Sequence, residues 1–165
     1  MTYDEIKGTV GSMLFLWASI EVALSEALMH LNDDDLPKSA YRISGRIELW
    51  LAAMERRAAG NVRLVAICQT VVEHLNTSLQ LRNMICHGFR GATSSDAFTV
   101  GEEAHLRVQL GEPERKIYWS ELQGMFRWMS RAPRTIGNLT SCATGLSPAK
   151  IEEMIYVWEL FPAIR

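Results

Sequence analysis

The stretch QLRNMICHGFRG, Gln80 to Gly91, holds the side chains best suited to chemistry. Arg82 offers a permanently charged planar fork that matches phosphate oxygens. An imidazole exchanges protons near neutral pH, so a histidine at position 87 suits the work of a base or an acid. Asn83 and His87 are four residues apart and therefore neighbours on a helix surface. Arg82 is turned about 100° from Asn83 and about 140° from His87. One helix closes all three on a point only if the long Arg82 side chain curls. Two antiparallel copies about a two-fold axis would instead bring two Arg, two Asn and two His into one cleft.

The elements that position these residues follow from periodicity. Helical spacing predicts a first helix over about 4–31, with Leu14, Trp17, Leu24, Leu28 and Leu31 on one stripe and Glu21 in its middle. NDDDLPKS then supplies turn chemistry. A second helix is expected over about 38–59, with Ile43, Ile47, Trp50 and Met54 on a stripe and Gly60 as C-cap. A third is expected over about 62–88. In it Cys68, Val71, Leu75, Leu79, Arg82 and Cys86 form a single stripe, so Arg82 occupies an apolar slot. A buried charge is costly unless paired, and a Glu21–Arg82 pair between packed helices would satisfy both. Beside that stripe runs a polar one, Glu73, Asn76, Gln80, Asn83 and His87, whose plainer reading is a solvated face. For Arg82 the plainer reading is a snorkelling side chain at the edge of the core.

After Gly91 the period changes. Ala104, Leu106, Val108 and Leu110 alternate with His105, Arg107 and Gln109, the pattern of a half-buried strand. With FTV before it and RKIYW after it, a three-stranded antiparallel meander is expected over about 96–119. Helical spacing returns over about 120–143, with Ser120 as N-cap and Pro133 as an interruption or kink. A last helix is expected over about 147–161, opened by Ser147 and Pro148. The expected fold is mainly α, a helical bundle of four or five helices with a small three-stranded β insertion, in a single domain over 1–165.

Composition narrows the classes. A chain of 165 residues can build a real core, and a net charge of −2 gives no global basic field for nucleic acid, though it allows a local one. Three cysteines without a CxxC pair argue against a disulfide framework and a thiolate zinc site. Asp4 and Glu5 stand where a signal peptide needs positive charge, and Glu21 breaks the apolar run near MLFLWASI short of a span. A cytoplasmic protein without membrane association is expected.

RNMICHG, Arg82 to Gly88, resembles the Arg-x4-6-His motif of the HEPN superfamily, in the form with Asn after the Arg and Gly after the His. The motif spans seven residues; the likeness in architecture, a third helix preceded by a helix with an embedded acid, spans about 4–91. The resemblance implies a metal-independent endoribonuclease working as a homodimer on RNA, in the manner of toxins and phage-defence components. It leaves 2′,3′-cyclic phosphate and 5′-hydroxyl ends and is restrained by an antitoxin or other regulatory protein. It assigns Arg82 to the phosphate, His87 to proton transfer, Asn83 to orienting the phosphate or imidazole, and Glu21 to holding Arg82. Some members carry Tyr two residues after the His, the target of a nucleotidyltransferase antitoxin; Phe89 stands there, so that control is not expected. The alternative is a non-catalytic HEPN-type dimeric module that binds a protein or nucleotide.

Other candidates carry less. Cys86 and His87 are adjacent on a helix and point about 100° apart, which excludes a hydrogen-bonded dyad. His30, His74, His87 and His105 have no metal-ligand spacing, and no Gly-rich phosphate loop occurs, so neither metal nor cofactor is expected. Arg127 and Arg131, with Arg134, make a stripe that suits an RNA backbone, and Arg46 and Arg90 are further RNA candidates. Such stripes are more often solvated faces. Core packing accounts for Trp17, Trp50 and Trp128.

Overall fold

Helices dominate because apolar residues recur at three- and four-residue intervals over long stretches. The computed structural model describes residues 3–32, 38–93, 103–111 and 113–160. Among them α1 (Tyr3–Leu31) is followed by a single 3-10 turn (Lys38–Tyr41), α2 (Ile43–Arg57) and α3 (Val62–Gly88). Three strands, β1 (Phe89–Thr93), β2 (His105–Val108) and β3 (Arg115–Tyr118), precede α4 (Trp119–Thr144) and α5 (Pro148–Leu160). This is the expected mainly helical architecture with a three-stranded antiparallel sheet, ordered β1-β2-β3. The chain divides into two compact units, Met1–Trp17 with Thr77–Met129, and Ala18–Asn76 with Ser130–Arg165.

In the first unit the sheet grows directly out of α3. β1 begins at the residue after the helix ends, pairs with β2 as Phe89↔Val108 and Gly91↔Arg107, and leaves Arg90 as the extra residue of a bulge. The expected first strand, FTV, lies outside the described residues, and FRGAT holds its place in the sheet. In β2 the expected alternation is altered at two positions. His105 is buried, its Nδ1 3.1 Å from the Glu103 carbonyl oxygen and its ring centroid 5.7 Å from that of Tyr118, while Leu110 is exposed beyond the strand end. The start of α4 is capped from outside the helix. The Glu103 carboxylate accepts from the Ser120 backbone N–H and, at 3.1 Å, from its hydroxyl, so Ser120 is a donor to the cap rather than the N-cap itself.

In the second unit local chemistry sets the helix ends. Asn61 caps α3: its Oδ1 accepts from the Leu64 N–H at 3.0 Å, a bond worth typically about 1 kcal/mol. α2 ends at Arg57, where the Ala58 N–H bonds the Met54 carbonyl, so Gly60 is not its C-cap. Its expected first turn is instead the separate 3-10 segment. α5 opens as expected at Ser147, whose carbonyl accepts from Ile151, with Pro148 first in the helix. α4 continues through Pro133, which forgoes one backbone hydrogen bond, while the Thr135 hydroxyl donates to the Arg131 carbonyl at 3.1 Å.

The buried stripes follow the expected ones at most positions and depart from them by one residue at the others. On α1 they run through Met13, Trp17, Ile20, Leu24, Leu28 and Leu31, with Leu14 exposed and Glu21 half-buried at the flank. On α3 they run as expected through Cys68, Val71 and Leu75 and then through Ser78, Leu81 and Ile85, with Leu79, Arg82 and Cys86 half-buried beside them. Arg82 is thus a border residue, not a core one. By length and composition alone the Asp4–Leu31 part of α1 is long and apolar enough to cross a membrane, so Glu21 does not cut it short, and a third of its most apolar stretch is buried. Burial pushes the Cys68 thiol up to about 12 and raises that of Cys142, so neither is a thiolate at neutral pH.

Trp50, fully buried, donates its indole N–H to the Thr140 hydroxyl at 3.0 Å, and that hydroxyl donates to the Ile136 carbonyl at 2.8 Å. Thr140→Val keeps the shape but orphans the indole donor. It is expected to lower the unfolding free energy by about 1–3 kcal/mol in denaturant titrations. Thr140→Ser should retain most of the stability, and equal stability of the Val variant would contradict this account of the contact.

Candidate active site at the end of the third helix

The last two turns of α3 carry the sequence-predicted residues. The backbone turns Asn83 and His87 to one face, and Arg82 reaches that face by curling. Its Nη1 donates to the Asn83 Oδ1 at 2.9 Å. Arg82 therefore finds its hydrogen-bond partner within its own helix. Arg82 and Asn83 are half-buried, whereas His87 is exposed one turn on and makes no hydrogen bond among the described residues. The Arg82 Nε is buried without a partner there, an arrangement that costs roughly 1–3 kcal/mol. Nη2 forms no hydrogen bond among the described residues either, so the fork keeps an open prong.

The face is held by a close backbone approach. Gly88 is buried, and its carbonyl accepts from the Gln109 N–H at 2.7 Å. A Cβ at position 88 would stand 2.6 Å from the Gln109 carbonyl oxygen and 2.8 Å from its carbonyl carbon. Both neighbours are backbone and cannot swing aside. The glycine of the motif thus has a packing reason that spacing alone did not reveal: the residue after His87 must let the end of β2 lie against the helix.

Of the other predicted residues, Arg90 shares this unit and sits exposed in the bulge three residues past His87. A bulge re-aims its side chain away from the ladder. Arg127 is exposed in the same unit. Arg107, which the sequence placed on a polar strand face without a role, lies opposite Gly91, where a Cβ would meet its guanidinium at 3.1 Å. Its Nη1 is 3.6 Å from Glu114, a loose exposed pair worth little. Register against the bulge was the missing signal.

Glu21, Arg46 and Arg131 belong to the second unit. Arg46 is committed to the fold: its Nε donates to the Ala40 carbonyl at 2.8 Å, and its Nη1 stands 3.5 Å from the Glu21 carbonyl oxygen. Glu21 is half-buried, and its carbonyl also accepts from the Ser25 hydroxyl at 2.8 Å. Arg131 is exposed on α4. Among the described residues no group of three or more His, Cys, Asp or Glu is placed to hold a metal ion.

No family model, curated protein or solved structure matches this chain.

Gly88→Ala is expected to destabilise the protein by about 1–3 kcal/mol, read as a lowered denaturant midpoint, because a methyl group must displace backbone. A variant as stable as the parent would show that the contact with Gln109 yields freely.

Proposed function

We propose that the chain is a cytoplasmic, metal-independent endoribonuclease whose site is completed by a second copy, of the kind that serves as a toxin or phage-defence component under a regulatory partner. The observation that carries this reading is the Arg82–Asn83 hydrogen bond beside an exposed His87. It sets a guanidinium with a free prong and an imidazole on one accessible helix face.

The chemistry follows from those groups. The 2′-oxygen of a ribose attacks the adjacent phosphorus as its proton passes to a base. The P–O5′ bond breaks, and the departing 5′-oxygen takes a proton from an acid. In a two-fold pair one His87 accepts the first proton and its twin supplies the second. Arg82, with Nη1 steadied by Asn83, directs Nη2 at the phosphate oxygens, where negative charge builds in the pentacovalent state. Arg90 and Arg107 supply positive charge for the flanking backbone, the salt-sensitive part of binding. The products are a 2′,3′-cyclic phosphate and a 5′-hydroxyl.

RNA incubated with the protein in excess chelator is expected to be cleaved, leaving cyclic-phosphate ends. His87→Ala should slow cleavage roughly 10²–10⁴-fold with unchanged circular dichroism, and abolish any growth defect on expression. Cleavage that requires a divalent ion, or that survives in the variant, would rule out the assignment.

A further inference from the structure

Within the second unit a groove of about 970 Å³ lies between α4 and α5, at the upper end of the range for small-molecule sites. Its floor is aliphatic and well buried: Leu64, Ile67, Leu139 and Ile155. Trp158, 8% exposed, joins the floor as the one aromatic ring among aliphatic side chains. The apolar lining reaches the rim through Val157, 42% exposed.

The rim is charged with a bias. Arg134 on α4 and Lys150 on α5 line the groove from its two sides, both exposed, and neither has an ion-pair partner among the described residues. Arg131 adds a third cation, and Glu153 is the one acid in the lining. The carboxylates farther along α5 behave differently. Glu152 and Glu159 both engage Arg63, at 2.8 Å each, and neither lines the groove. Acid and base are paired away from the groove, whereas Arg134 and Lys150 have no ion-pair partner among the described residues.

We propose that this groove binds a single-chain anionic amphiphile of the long-chain carboxylate class, with the alkyl chain on the aliphatic floor and the carboxylate between Arg134 and Lys150. An aliphatic body is favoured over a nucleobase because aliphatic side chains outnumber the single ring, Trp158, in the lining of the groove. An anionic head is favoured over a neutral one because Arg134 and Lys150, unpaired among the described residues, both line the groove. The binding is independent of the nuclease reading, which concerns the other unit.

Calorimetric titration of the full chain with sodium dodecanoate, kept below its micellar concentration, tests this. Saturable binding at one site is expected, with dodecanol about tenfold weaker or worse, and with inorganic phosphate and adenosine monophosphate not competing. Replacing both cations, Arg134→Gln with Lys150→Gln, should weaken dodecanoate about tenfold while leaving dodecanol unchanged, and Glu153→Gln should tighten dodecanoate. Equal affinity for dodecanol and dodecanoate would reduce the groove to an unspecific apolar surface and overturn the proposal. So would competition by adenosine monophosphate, or dodecanoate binding indifferent to the double substitution.

Discussion

The backbone approach of Gln109 to Gly88 is the constraint on which the end of α3 depends. A helix that stops at a residue with no Cβ can receive the end of a strand against its last turn, and here it does so with a 2.7 Å hydrogen bond. That contact fixes where the chain leaves the helix and where β1 must begin. It also places the bulge, with Arg90 as its extra residue, immediately beyond His87. A larger residue at 88 would push the strand away and move all of these together.

On this frame the polar residues divide the work. Asn83 draws the Arg82 guanidinium around the helix onto the face that Asn83 shares with His87. The side chain spans the border between core and solvent, its Nε buried and its outer nitrogens toward the polar face, a compromise that Lys could not reproduce with a single ammonium. His87 needs no hydrogen bond to be held, because helix geometry and Gly88 determine where its Cβ stands. In the second unit polar groups serve the fold instead: Trp50 with Thr140 inside the core, and Arg46 on backbone carbonyls.

The helices were legible in the sequence because their apolar periods are long, and the Ser147–Pro148 start was legible because its chemistry is local. The first strand was not. FRGAT has one large apolar residue and a glycine, so it lacks the alternation that marks a strand, and it pairs only because β2 is brought to it. The stripes of α1 and α3 hold at Trp17, Leu24, Leu28, Leu31, Cys68, Val71 and Leu75 and differ by one residue at Leu14, at Glu21 and from Leu79 onward, since Leu14 and Met13, or Arg82 and Leu81, fit the three-and-four spacing nearly equally well. Only tertiary packing chooses between such neighbours. Arg82 accordingly looked like a charge in the core, when it is a border residue with a partner on its own helix. His105 misled for the opposite reason: a histidine reads as polar, yet the Glu103 carbonyl and Tyr118 give it a buried setting.

The proposed completion of the site by a second copy makes cleavage depend on concentration. Cleavage of RNA per chain, measured across protein concentrations alongside sedimentation of the same samples, tests this most directly. The rate per chain is expected to rise with the fraction of dimer and to level off when dimer is complete. A constant rate per chain from a protein that sediments as a monomer would contradict it.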